Sequence, residues 1–197
     1  MNPSLDQLLK FTNLLHQYRT IERSLLVHKS DQNENDVEHS FTLAMLAWHI
    51  HSTYKLDLDL SKLFSYALAH DLVEIYAGDT FFYQTDADVL NSKHNKEQEA
   101  ARRLRSEFPE FPELHDAIDR YEAREDDESK FIYALDKIEP VLSIYLDGGR
   151  TWKKNNVTLE MLTSMKMPKV AVDKTIEAIF KELVSRIETD KDNLFNA

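Results

Sequence analysis

Ala67-Leu68-Ala69-His70-Asp71-Leu72-Val73-Glu74 sets three ionisable groups into a segment that otherwise has the composition of a buried helix. An imidazole, and still more a carboxylate, needs a partner once it leaves water, and a divalent cation satisfies several such groups at once. A helix through this stretch makes His70 and Glu74 i,i+4 neighbours and Asp71 and Glu74 i,i+3 neighbours, so one face would present ligands beside an acid/base candidate. The surroundings agree on the class of fold. Only three glycines occur, Gly78, Gly148 and Gly149, and apolar residues recur at helical spacing nearly everywhere, which predicts an all-α domain.

Outward from that stretch the chain divides into helices with readable ends. Ser4-x-x-Gln7 is a capping box for a first helix with apolar positions at Leu5, Leu8, Leu9 and Leu15. A polar loop from Lys29 to Asn35 leads into a helix from about Asp36. Its residues Val37, Phe41, Leu43, Ala44, Met45, Leu46, Ala47, Trp48 and Ile50 are apolar on almost every side, as in a central helix. Asp59 or Ser61 caps the third helix, which is expected to run through His70-Asp71 and stop at Gly78. Asp79 to Asp88 reads as a loop near the site, followed by a charged helix over Glu97 to Glu107 and another from about Glu113 to Arg124. Phe131, Ala134, Leu135, Ile138, Val141, Leu142 and Tyr145 outline a sixth helix, in which Pro140 removes the N–H that would bond the carbonyl of Asp136 and predicts a kink. The last helix is expected from near Pro168 to past Ile187.

The 197 residues suit one domain, 1–197, against a prior of about 150 residues each. With 42% hydrophobic and 30% charged residues the chain is globular in composition, not disordered. The absence of cysteine leaves histidine and carboxylate as the strong side-chain ligands, so any metal is bound through N and O. The net charge of −11 argues against a nucleic-acid polymer, which demands a basic surface, but a small anion can still be held where a metal and a few cations reverse the potential locally. Neither a leader pattern nor a long uncharged stretch appears, so no membrane association and a cytoplasmic location are the default expectations.

A His-Asp dipeptide alone is common by chance. Here it follows Asn35-Asp36-Val37-Glu38-His39-Ser40 and precedes Phe131-Ile132-Tyr133-Ala134-Leu135-Asp136-Lys137-Ile138. In that order His39, His70-Asp71 and Asp136 resemble the H…HD…D signature of the HD-domain metal-dependent phosphohydrolases. The resemblance runs from about Arg23 to Leu146 and implies an HD-domain helical bundle similar to the bacterial 5′-deoxynucleotidases. These release phosphate from nucleoside 5′-monophosphates with one divalent ion, and they usually form dimers. By this resemblance His39, His70, Asp71 and Asp136 hold one divalent metal ion (Mn, Co, Fe, Ni, Zn or Mg), the substrate is a small phosphorylated molecule, and the chain is a homodimer.

Glu74 stands at the family's HD-x-x-E position, implying that it activates water or protonates the leaving oxygen. Asp79, in Ala77-Gly78-Asp79-Thr80, matches a Gly-Asp of the nucleotidase branch that implies a further catalytic or substrate-contacting carboxylate. Arg23 resembles the arginine ahead of the first metal histidine, whose fork holds phosphate. Two departures leave the substrate open: the loop between Arg23 and His39 contains a small insertion, and Ser24 stands where an aromatic residue is usual. Other HD hydrolases, acting on nucleotide diesters or polyphosphates, are the alternative, although the His-His-Glu and Gly-Tyr-Pro clusters of the cyclic-dinucleotide branch are absent. A non-catalytic sensor or scaffold is the alternative of a different class, and it needs neither Glu74 nor Asp79.

Overall fold

Several helix starts in this protein are fixed by side-chain oxygens that bond the otherwise orphaned first N–H groups. Ser4 does so for α1 (Leu5–Tyr18) and Asp59 for α3 (Leu60–Ala69). Asn35 caps α2 (Asp36–Tyr54), accepting from the N–H groups of Val37 and Glu38 at 3.1 Å each while Glu38 Oε2 accepts from the N–H of Asn35. The computed structural model describes residues 4–79 and 87–196, the side chains of 87–94 excepted. The expected loop from Asp79 to Asp88 therefore lies largely outside the described residues, as does the side chain of His94. The remaining helices are α4 (Glu74–Ala77), α5 (Ala87–Glu107), α6 (Pro112–Ala123), α7 (Asp127–Leu146), α8 (Arg150–Lys154), α9 (Leu159–Val170) and α10 (Lys174–Leu194).

The architecture is an all-α bundle with one small exception. Between α1 and α2 the chain forms a two-stranded antiparallel hairpin, β1 (Glu22–Leu26) and β2 (Asn33–Asn35), where a loop was expected from Lys29 to Asn35. Lys29 turns it with a left-handed φ of 56°. The alternation in Glu22-Arg23-Ser24-Leu25-Leu26 is too short to stand out against helical spacing, so pairing with Asn33–Asn35 decides it.

The packing places α7 at the centre, touching α2, α3, α6, α9 and α10. Phe131, Ile132, Ala134, Leu135 and Ile138 on α7 have no exposure at all, and the buried cluster extends from Leu14 to Leu194. α7 continues through Pro140 as one helix. Two expectations about helix faces change. Leu5, Leu8, Leu9 and Leu15 of α1 are exposed, and Leu14 and Tyr18 are the buried residues. On α2, Leu43, Ala44, Ala47 and Ile50 face the core, but Phe41, Met45 and Trp48 face outward, so this helix is covered on one side only. The last segment is likewise two helices, with Pro168 inside α9 and Asp173 capping α10. Among the described residues no helix is long and apolar enough to cross a membrane.

Candidate metal centre and active site

The His70-Asp71 segment is not the continuous helix that its spacing suggests. α3 ends at Ala69, and the chain tightens: Leu72 N–H bonds the carbonyl of Ala69 and Glu74 N–H that of Asp71, both three residues back, before α4 begins at Glu74. This tighter winding keeps Asp71 on the same side as His70 and brings Glu74 behind it, so the three groups converge although no regular helix carries them. α2 delivers His39 from one flank and α7 delivers Asp136 from the other.

The four residues expected as ligands meet at one point. Nε2 of His39 lies 3.2 Å from Asp136 Oδ1 and 3.7 Å from Asp71 Oδ2, while Nε2 of His70 lies 3.1 Å from Asp71 Oδ2 and 3.9 Å from Asp136 Oδ1. Both Nε2 atoms are fully buried and lack a well-aligned hydrogen bond. Each Nδ1 is engaged, that of His39 with Glu139 Oε2 at 3.0 Å and that of His70 with the carbonyl of Ala67 at 3.0 Å. An Nδ1–H donating outward leaves the Nε2 lone pair facing the carboxylates, which is the arrangement of imidazoles that ligate a cation. Asp136 is oriented in the same way, its Oδ2 taken by the Tyr121 hydroxyl at 3.2 Å and by Lys137, and its Oδ1 left toward the histidines. Two imidazole nitrogens and two carboxylate oxygens in a buried site fit a first-row divalent ion.

The electrostatics point the same way. Burial and Arg23 oppose protonation of His39, but the Asp136 and Glu139 carboxylates beside its two ring nitrogens outweigh them and raise its pKa to about 10. The upward direction reflects the carboxylates gathered around this ring, a setting in which a divalent cation would compete with the proton. Burial also works against the Asp71 carboxylate, yet His70 and Arg23 hold it well below the ordinary range. Asp136 is held low against its burial by Lys137 and His39.

Glu139 was not anticipated from sequence, although it lies one helical turn beyond Asp136, where an i,i+3 carboxylate on a ligand-bearing helix can serve the neighbouring histidine. Buried Glu34 and Asp36 also went unnoticed. Arg23 reaches Asp71 at 2.9 Å and Asp36 at 3.4 Å through Nη1, and Glu34 at 3.4 Å through Nε. The guanidinium therefore secures the Asp71 carboxylate, and its Nη2 keeps no partner among the described residues. Asp36 is pushed up to about 7 by burial and then by Asp71, and Glu34 to about 7 by burial and then by Glu139. A carboxylate oxygen of buried Glu74 lies within 4.8 Å of ligand oxygens of both Asp71 and Asp36. Asp79 is close enough for its charge to act on Arg23 and Asp36. His51 and His115 are packing residues bonded to the carbonyls of Leu58 and Phe108.

A family model described as an HD domain matches residues 15–179, most of the chain and beyond both ends of the segment in which the motif residues fall. The chain belongs to the HD-domain family. A metal-dependent phosphohydrolase of Magnetospirillum magnetotacticum, so predicted and solved as a crystal structure, superposes with a TM-score of 0.80 at 29% identity, covering 95% of this chain and 96% of that one. The 5′-deoxynucleotidase HDDC2 of Danio rerio is 24% identical over 146 residues, 72% of this chain and 70% of the relative. A conserved hypothetical protein of Pyrococcus furiosus shares the fold at a TM-score of 0.64 and 17% identity, covering 94% of this chain and 99% of its own. With its buried His and Asp cluster, this HD-domain protein is a metal-dependent phosphohydrolase acting on a small phosphorylated substrate.

Proposed function

We propose that the protein releases inorganic phosphate from deoxynucleoside 5′-monophosphates, using one divalent ion held by His39, His70, Asp71 and Asp136. The observation that carries the ligand assignment is the pair of buried Nε2 atoms facing Asp71 and Asp136 while each Nδ1 is tied elsewhere. The nucleotide substrate is supported by the likeness to the zebrafish 5′-deoxynucleotidase. When bound, the ion supplies Lewis acidity that polarises a phosphoryl oxygen and acidifies the attacking water.

The protein's own groups do the rest. Glu139 and the carbonyl of Ala67 hold the two imidazoles in the tautomer that presents Nε2, and Tyr121 with Lys137 holds Asp136 so that Oδ1 faces inward. Glu74, beside Asp71, takes the proton of the attacking water and returns it to the leaving 5′-oxygen. Arg23 first fixes Asp71, and its Nη2 is the edge that meets the substrate phosphate. Asp79, whose charge acts on Arg23 and Asp36, is assigned to substrate contact. A homodimer is the expected assembly, supported by the apolar stripe of Phe41, Met45 and Trp48 along α2.

Phosphate release across nucleoside mono-, di- and triphosphates, with each candidate ion added to chelator-treated protein, tests this reading. Deoxynucleoside monophosphates should be the best substrates, and Asp71→Ala should lose tight metal binding and turnover together while staying helical. Full metal content in Asp71→Ala would overturn the ligand assignment, and turnover confined to diesters or triphosphates would overturn the substrate.

A further inference from the structure

Positive charge is outnumbered in this chain, 24 lysines and arginines against 35 acidic residues, yet some of it gathers beside the metal centre. The cleft that opens on His70 and Asp71 has a volume of about 190 Å³, and Lys137, Tyr133, Arg124 and Lys169 are among the residues that line it. A larger groove of about 560 Å³ adjoins it, sharing Arg124, Tyr133 and Lys169 and adding Lys130 and Asp127. Asp127 pairs with Lys130 at 3.6 Å, so those two charges offset each other, and the other charged residues lining the groove, Arg124 and Lys169, are both basic.

Arg124 is held as an anion receptor is held. It ends α6 in the left-handed region, at φ 51°, and its guanidinium carbon sits 4.5 Å from the centroid of the Tyr133 ring. Nε donates to the carbonyl of Glu122 at 3.2 Å, and among the described residues the guanidinium makes no ion pair, which leaves both Nη groups for an outside acceptor. Stacking and that one hydrogen bond pre-order the planar fork, reducing the entropy lost when it grips an oxyanion. Lys137, paired with Asp136, lies 5.0 Å from the same ring centroid, so cationic groups run from the metal ligand outward to the groove. Glu97 and Glu122 line the smaller cleft as well, and burial followed by Glu97 raises the pKa of Glu122. Neither lines the groove.

We propose that this groove is a subsite for a second phosphate carried on the sugar, so that among deoxynucleoside 5′-monophosphates the preferred substrates are those that also bear a 3′-phosphate. This inference rests on the phosphomonoesterase reading and refines its substrate. A phosphate accepts the bidentate fork of Arg124 and the point charge of Lys169 as charge-assisted contacts, stronger than the hydrogen bonds that the base or sugar of a neutral leaving nucleoside would accept from them. The chemistry is unchanged: water attacks the phosphorus at the metal centre, the P–O5′ bond breaks, the 5′-oxygen receives a proton, and the second phosphate leaves with the alcohol.

Calorimetric binding of 2′-deoxyadenosine 3′,5′-bisphosphate and 2′-deoxyadenosine 5′-monophosphate, measured with manganese in the Glu74→Gln background, tests the subsite apart from turnover. The bisphosphate should bind on the order of tenfold more tightly, the size expected of one charge-assisted contact. Adding Arg124→Ala should shrink that ratio, and Arg124→Ala with Lys169→Ala should bring it close to one, with melting temperatures verifying the fold. Equal binding of the two nucleotides, no binding of the bisphosphate, or a ratio untouched by the double substitution would overturn the proposal. Phosphate release from neither nucleotide by the unsubstituted enzyme, with the binding ratio intact, would refute the phosphomonoesterase reading and leave the subsite standing.

Discussion

Replacing Glu139 tests whether the centre is built to hold a metal, because this residue bonds Nδ1 of His39 and not the Nε2 that faces Asp71 and Asp136, and so acts on the centre through His39. Its Oε2 accepts from His39 Nδ1 at 3.0 Å and its Oε1 accepts from the Ser143 hydroxyl at 2.8 Å, with Glu139 and His39 both wholly buried. Glu139→Ala leaves a buried ring N–H without its acceptor and frees the imidazole to turn. Loss of such an orienting partner typically weakens metal affinity about 10- to 100-fold, or roughly 1.4–2.7 kcal/mol. Glu34 is the nearest substitute, within 4.8 Å of the same ligand atoms, but Arg23 already engages it at 3.4 Å, so rescue should be incomplete. Glu139→Gln keeps an oxygen for the ring N–H and an amide that can donate to a turned Ser143 hydroxyl, so it should fall near the lower limit. Competition titration of zinc or manganese against a chelator gives the affinities, and far-ultraviolet circular dichroism verifies the fold. An affinity in Glu139→Ala equal to that of the unsubstituted protein would refute the claim that the centre depends on an oriented His39.

Other substitutions separate the remaining roles. Glu74→Gln should keep the ion but lose about 10²- to 10⁴-fold in turnover, measured by phosphate release, and metal loss would instead make Glu74 a ligand. Arg23→Lys retains a charge near Asp71 but not the planar fork, so kcat/KM should drop for every phosphomonoester while elemental analysis shows unchanged metal; an efficiency equal to that of the unsubstituted enzyme would place phosphate recognition elsewhere. Asp126, the N-cap of α7, accepts from Ser129 N–H at 2.8 Å and from the Tyr66 hydroxyl at 2.7 Å, so Asp126→Ala should cost about 1–2 kcal/mol, read by chemical denaturation. Burial opposes ionisation of Asp126, but Ser129 and Tyr66 lower its pKa to about 2, below an unfolded value of roughly 3.9. Its contribution is thus present above about pH 4 and fades as the pH falls toward 2, and the stability gap between the two proteins should narrow over that window.

The sequence by itself determined the class of fold and singled out four residues that the folded chain brings together. Much of this is local in origin: apolar spacing with few glycines specifies helices, and ionisable residues inside apolar runs announce that something must compensate them. The caps at Ser4 and Asp59 were legible for that local reason, and His39, His70, Asp71 and Asp136 through their order along the chain, which resembles the HD-domain signature. The outward face of α2 was not, because an apolar side chain carries no mark of whether a neighbour will cover it. The β1–β2 hairpin escaped because strand pairing is a contact between segments and not a property of either one. The break between α3 and α4 escaped because helical spacing alone does not mark where winding tightens. Arg23 shows the division most clearly. Its sequence context suggested a phosphate-binding fork, but only the folded chain brings Asp71, Asp36 and Glu34 around it, and proximity in space, which decides where a charge is spent, is set by the packing of distant segments.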